Sequence, residues 1–388
     1  MVILMQTDAI GTIIWFLMFF VFIFFYPRLM LSQMIYKLEQ SARKMEEMSQ
    51  RANVMVSKKV MKHPTKELRK EINEFTDFFV VEPSAIDPFG LVKKIDQTIR
   101  SMETRFAEFT DSIASNLNAK EKKELNYSLR AAIGLRQISK MVRHFVELSK
   151  KFKNLQIAMI LQMQLPIIEK IAESEFKGTE AFINGWPIGD SIGPLVAASM
   201  IDSSREIAEE IVYGETIING RKCFVLKAKG PEPSLGRIDE AINKIMKRNK
   251  IGKIITIDAA QKLEGEKSGS VAEGVGFAMG GIGQREMIEN VLLVKKIPMD
   301  SIVVKVGMED AIVPMKKEIF NSMPSVKNAI NKSVNRSKKN EKIIIIGVGN
   351  SCGVGDNKKA VENVKNVVIE LDKKYKEEAK KQKKGSWF

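Results

Sequence analysis

Two aspartates stand where their surroundings could support chemistry. Asp190 is the only charge in the stretch INGWPIGDSIGPLV (183–196), a tight turn of glycines and prolines running into apolar residues. Asp258 ends the β-rich run IITID (254–258). Two carboxyl groups held close together cannot both ionise cheaply, so the pKa of one rises. Such a pair suits general acid–base attack of water on a peptide carbonyl. The competing reading of Asp190 is a helix N-cap, its oxygen accepting backbone N–H bonds. A third acid, Asp356, ends NSCGVGD (350–356), which echoes NGWPIGD (184–190) in its Asn, its Gly-Asp end and its spacing. Two equivalent strand-to-helix turns would explain the echo, with Asp356 facing the same cleft and touching substrate or partner.

Other chemistries are poorly supplied. The chain has two histidines, His63 and His144, both in its first half, and two cysteines, Cys223 and Cys352. A histidine-based metal site or a Ser-His-Asp triad in the second half would need the halves to fold onto each other. There is no CxxC, so no metal is expected, and a reducing compartment fits best. Cys352 has no histidine nearby to activate it and reads as a turn residue. Cys223 alternates with apolar neighbours and reads as core. The glycine-rich loops EGVGFAMGGIGQ (274–284) and GVGNSCGVGDN (347–357) could bring backbone N–H groups to a substrate chain or partner, with Gly276, Gly280, Gly281 and Gly283 as the candidates. Neither loop ends in GK[ST] and neither matches GxGxxG in register, so no cofactor is expected.

The elements that must position these residues form an α/β pattern. From about residue 180, β-rich runs at 221–230, 253–260, 300–308 and 342–350 alternate with helical stretches. Alternation of this kind predicts a mostly parallel sheet with helices on both faces. The four isoleucines before Gly347 suit a central strand. Asp190 is expected after a short β run and Asp258 at the C-terminal edge of the sheet, where such folds place ligands. The basic stretch 328–342 is expected to be a surface loop.

Upstream, residues 9–26 are free of charge and long enough to span the hydrocarbon core. Arg28, Lys37, Arg43 and Lys44 follow, so the positive-inside rule places the bulk of the chain in the cytoplasm, behind a single-pass anchor in the cell membrane. Leu31, Ile35, Leu38, Ala42, Met45, Met48, Ala52 and Met55 then repeat at spacings of three and four. That seam predicts either a coiled coil, with homo-oligomer contact, or a helix docked on its own chain. Residues 155–171 are very apolar but carry Pro166 and three glutamines, and read as a buried helix rather than a second span. The net charge of +15 favours anionic partners. Lipid headgroups fit better than nucleic acid, because no stacking aromatics are interleaved with the lysines of the C-terminal tail. The expected division is an anchor at 1–28, an α-helical region at 29–178, an α/β domain at 179–372 and a basic tail at 373–388.

Several stretches taken in order resemble one family. GWPIGDSIGPLVA, KGPEPSLGRIDEAINKI, IITIDAAQKLEG, VGFAMGGIGQRE and IPMDSIVVKVGMEDAI are similar to successive segments of the spore germination protease. The first also resembles the hydrogenase maturation peptidases. The resemblance covers roughly residues 180–315. It implies a phosphorylase/hydrolase-like fold, with Asp190 and Asp258 at the positions of the proposed catalytic aspartates. Ser191 stands where the hydrogenase peptidases carry an acid, which speaks against their nickel-dependent mode. Taken whole, the chain looks like an uncharacterised archaeal membrane-protein family. Two functions remain open: an aspartate-dependent peptidase, and a non-catalytic scaffold that keeps the fold and binds a partner.

Overall fold

The computed structural model describes residues 2–80, 90–276 and 297–385. Five helices come first: α1 (Val2–Val60), α2 (Lys66–Phe75), α3 (Leu91–Ile113), α4 (Ala119–Phe152) and α5 (Leu155–Asn184). Pro27 and Pro166 lie inside α1 and α5, which continue through them, so Pro27 does not end the first helix. The chain divides into two compact units. One is Met1–Arg51 with Gly134–Glu173; the other is Ala52–Ile133 with Ser174–Phe388.

In the first unit, every apolar side chain of α1 from Ile13 to Tyr26 is exposed, so this stretch is long and apolar enough to cross a membrane. Further along α1, Leu38, Ala42 and Met45 are fully buried. Their seam is filled within the chain: α4 and α5 pack beside α1. Arg143 of α4 forks onto Glu46, at 2.7 and 2.8 Å, and reaches Glu39 at 2.8 Å. Lys150 also meets Glu39, and these cations hold its carboxyl down at about 2. On α5, Glu169 accepts from Ser41 at 2.5 Å and Glu173 from Lys44 at 2.8 Å. The periodicity is therefore that of a helix docked on its own chain.

The second unit contains a seven-stranded mixed sheet in the order β1-β2-β3-β7-β4-β6-β5. The strands are β1 (Arg205–Ala208), β2 (Ile211–Ile218), β3 (Arg221–Ala228), β4 (Ile251–Gln261), β5 (Val271–Val275), β6 (Met299–Val306) and β7 (Lys342–Gly347). The central four, β3, β7, β4 and β6, are parallel, while β1, β2 and β5 add antiparallel edges. Parallel strands buried on both faces become continuous apolar runs, and Ile343–Ile346 of β7 are all fully buried. One face is covered by α6 (Ile192–Ala198), α8 (Lys317–Phe320), α9 (Met323–Asn335) and α10 (Ala360–Gly385), through Leu195, Ile319, Val326 and Val364. The other face is covered by α7 (Ile238–Arg248), through Ile238, Ile242 and Ile245.

Three expectations change here. The edge strands β1, β2 and β5 were not predicted from the sequence. Most of the basic stretch 328–342 is not a loop, because α9 runs to Asn335 with Ala329, Ile330 and Val334 buried. No strand precedes Asp190: α5 runs to Asn184, and Ile188 makes a single bridge to Pro314.

Candidate active site

β7 stops at Gly347, opposite Ile257 of β4, while β4 continues to Gln261. Asp258 is therefore the first β4 residue past the end of its neighbour, at the C-terminal edge of the parallel strands. Its other side is held by β6, in register with Val303. The chain leaving β7 closes the notch, with Val348 N–H donating to the Ile257 carbonyl at 2.8 Å.

Asp190 arrives from a different direction. The loop before it is bound to residues 311–315: Gly189 N–H donates to Val313, Asp190 N–H to Ala311 and Met315 N–H to Pro187, at 2.7–3.1 Å. α6 follows at once, and its first turn lies against the ends of both central strands. A Cβ at Gly193 would fall 2.1 Å from the Val348 carbonyl and 2.5 Å from that of Ile257, so only glycine permits this approach.

The two echoing loops, 184–190 and 350–356, interlock. Asp190 Oδ2 accepts the backbone N–H of Asn350 at 2.7 Å, and Ser191 Oγ donates to the Cys352 carbonyl at 3.0 Å. The Asn350 side chain braces its own turn by accepting from Cys352 N–H at 2.9 Å. Gly349 (φ +119°) passes so close that a Cβ there would lie 2.2 Å from the Asp190 carbonyl oxygen. A small core of Ala131, Ala181, Phe182, Ile188 and Cys352 ties α4 and α5 to these loops.

The electrostatics distinguish the two acids. Burial pushes both carboxyls up. At Asp190 the Asn350 N–H works against that rise by stabilising the carboxylate. Asp258 is 4% exposed and is raised well above the usual carboxylate range, first by burial and then by the negative charge of Asp190. Its Oδ1 accepts from Ala259 N–H at 2.7 Å, and its Oδ2 is buried with no hydrogen-bond partner among the described residues. The chain thus presents one carboxyl that holds its proton tightly beside another that carries charge more readily.

Asp356 is held by other donors. Its Oδ1 accepts from Lys227 Nζ at 2.7 Å and from Gly230 N–H at 2.8 Å. Lys227 is fully buried near the end of β3 and was not singled out from the sequence. Its one signal was the lysine in an otherwise apolar strand, CFVLKA. Asp310 was also missed: it is 2% exposed and paired to Lys316 at 2.7 Å. Gly276 has φ +94° and nothing among the described residues within 4 Å of where a Cβ would stand, while Gly280, Gly281 and Gly283 lie outside the described residues. Both cysteines are buried, and burial raises their thiols, that of Cys223 to about 11, so neither is set up as a thiolate. Among the described residues, no three His, Cys, Asp or Glu side chains gather to hold a metal.

Family models match nearly the whole chain in two consecutive parts. Residues 12–185 match the N-terminal domain of a protein of unknown function (DUF1512), and residues 188–355 match the C-terminal domain of unknown function of the same family. The junction falls between the end of α5 and the loop that carries Asp190. No curated protein and no solved structure matches the chain. The chain belongs to the DUF1512 family.

Proposed function

We propose that the α/β portion is a hydrolase of amide bonds in peptides, with Asp190 and Asp258 as its acid–base pair, tethered to the membrane through α1. The observation that carries this reading is the buried Asp258 carboxyl, whose Oδ2 has no partner among the described residues and whose pKa is raised first by burial and then by Asp190. In this mechanism Asp190 takes a proton from a water molecule as its oxygen attacks the peptide carbonyl. Asp258 gives its proton to the carbonyl oxygen. In the second step Asp190 passes its proton to the leaving nitrogen, the C–N bond breaks, and Asp258 recovers its proton from the collapsing diol. Placing two carboxyls so that one is protonated and the other ionised is the physical requirement of such chemistry. The resemblance of the Asp190 and Asp258 segments to the germination protease supports the same assignment. The positive charges after the anchor support a cytoplasmic location for the domain.

The experiment is peptide cleavage by the full chain in detergent, compared with Asp258→Asn and Asp190→Asn, against a proteome-derived peptide library. The reading requires cleavage by the wild type that both variants lose. Cleavage that persists in both would remove the pair from the chemistry.

One observation favours a second reading, a membrane-tethered scaffold without catalysis. Asp190 clasps the Asn350 N–H, a structural duty that fully accounts for an acid in this turn. Under that reading neither variant alters any cleavage, and a bound partner is lost when the clasp is cut by Asp190→Ala.

A further inference from the structure

We infer that the α4–α5 hairpin tip is a second membrane contact, seated on the headgroups of the leaflet from which α1 emerges. This rests on the reading of α1 as a membrane anchor and concerns the first unit alone.

The register within that unit sets the height of the hairpin. Ser41 meets Glu169, and Lys44 meets Glu173, so α1 and α5 run in the same direction side by side. Fourteen residues back along α5 from Glu169 is Leu155, its first residue; the same step back along α1 from Ser41 is Pro27, just past the apolar run. Nine residues back reaches Ile160 on α5 and Ser32 on α1, six residues beyond Tyr26, or about 9 Å along the axis. On α4, Glu39 of α1 is met by both Arg143 and Lys150, while Glu46 is met by Arg143 and also feels the charge of Arg136, which lies further from Lys150 along α4. α4 therefore runs the other way and delivers its last residue, Phe152, to the same end. Although α5 is long and apolar enough to cross a membrane, it begins where the anchor's apolar run finishes.

The chemistry of the tip fits that position. Phe152 is 60% exposed, Ile160 63% and Met163 74%, while Ala158, Leu161 and Leu165 turn inward and are buried. An open apolar groove of about 500 Å³ runs between α4 and α5, walled by Met141, Phe145, Ile157 and Ile160. Lys150, Lys151 and Lys153 crowd the turn and are exposed. Glu147 and Glu39 are the acids in reach, and both already pair with Lys150. Exposed apolar side chains ringed by lysines suit the boundary between anionic headgroups and acyl chains. A second copy of the chain is the competing occupant, but it would not require the lysines or the shared level with the anchor.

The test uses the full chain in vesicles of phosphatidylcholine and phosphatidylglycerol, with an environment-sensitive fluorophore on Ile160→Cys or, separately, on Phe16→Cys. Nitroxide-bearing lipids then report contact. Contact at the tip predicts that shallow nitroxides quench roughly half the Ile160→Cys emission, as expected for a side chain at the headgroup boundary. It also predicts that Lys151→Glu with Lys153→Glu restores most of that emission. Phe16→Cys should be quenched by deep nitroxides in either background. Quenching at Phe16→Cys without quenching at Ile160→Cys overturns the tip contact and leaves the anchor standing. No quenching at either position overturns the anchor and the inference together. A blue-shifted but unquenched label at Ile160→Cys, with the unlabelled Ile160→Cys variant forming disulfide-linked dimers under oxidation, assigns the face to a second copy instead.

Discussion

Asp258 and Asp190 are joined by charge: burial first, and then the proximity of Asp190, raises the pKa of Asp258. They reach this position from segments far apart in the chain. β4 carries Asp258 one residue past the end of β7, and the loop ahead of α6 carries Asp190 to the chain that leaves β7. An acid pair at the edge of parallel strands follows from strand lengths that differ, since β4 continues where its neighbour stops.

Replacing Asp258 by asparagine should stabilise the fold at neutral pH. The folded pKa of Asp258 lies above its unfolded value, so between the two the folded state binds more protons. Stability from this group is complete below the unfolded pKa, near ~4, and is lost as pH rises through the folded value. Asp258→Asn removes that loss. Thermal unfolding in detergent should show a higher Tm for the variant at pH 7–8, by roughly 1–3 kcal/mol of stability for a buried group freed of its penalty. The difference should shrink as pH falls towards about 4. Equal Tm differences at all pH values would contradict the raised pKa.

Asp190 should separate charge from clasp. Asp190→Asn keeps a carbonyl oxygen to accept the Asn350 N–H but removes the negative charge, so the pKa of Asp258 should move down towards the ordinary range. Carboxyl-carbon NMR of labelled aspartate would follow the shift. Asp190→Ala deletes the acceptor as well, leaving the Asn350 N–H unpaired. It should cost about 1–3 kcal/mol of stability. An Asp258 titration indifferent to Asp190→Asn would mean that the two carboxyls do not sense each other.

Gly349 and Gly276 offer a controlled comparison, since both have positive φ and only Gly349 is crowded. Alanine at either site carries the backbone strain of about 1–3 kcal/mol. At Gly349 the new Cβ would also meet the Asp190 carbonyl at 2.2 Å, whereas at Gly276 nothing among the described residues lies within 4 Å. Overpacking adds about 1–3 kcal/mol, so Gly349→Ala should unfold at clearly lower denaturant than Gly276→Ala. Equal midpoints would mean that the two loops are not in close contact.

The sequence made some of this visible and hid the rest for identifiable reasons. The central strands were legible because parallel strands buried on both faces become unbroken apolar runs, as in Ile343–Ile346. The edge strands escaped because β1 is only four residues and opens on two charges (REIA), and β2 is interrupted by Gly214 and Glu215 (IVYGETII), patterns that also suit exposed turns. The end of β4 at an acid could be read locally. That Asp190 would meet Asn350 could not, since no local pattern records which loops a sheet brings together. Even so, the shared Asn and Gly-Asp spacing of the two loops marked them as related, and they interlock. The seam on α1 was legible as a seam, yet its partner was undetermined because Leu38 and Met45 would be buried equally well by a second chain or by α4 and α5. Asp356 was placed with the other acids by that same echo, and the buried Lys227 that takes it up was hidden in an apolar strand.

Lys227 and Asp356 should respond unequally to truncation. The lysine is fully buried, while the aspartate side chain is 20% exposed and also holds the Gly230 N–H. Removing the acid with Asp356→Ala leaves the buried ammonium only the Ala228 carbonyl as a hydrogen-bond acceptor among the described residues, without its adjacent counter-charge, and breaking a buried pair in this way costs about 3–5 kcal/mol. Burial already pushes the Lys227 pKa down, with Asp356 opposing that shift, so the variant's lysine should shed its proton more easily. The loss of stability should then ease as pH rises, because the neutral amine can remain buried. Removing the base with Lys227→Met keeps the apolar stem and leaves an aspartate that water can still solvate, so it should cost well under half as much. Denaturant unfolding of both variants at pH 7 and pH 9 checks the asymmetry. Equal costs, or an Asp356→Ala cost that does not fall with pH, would mean that the lysine is not dependent on this one partner for its charge.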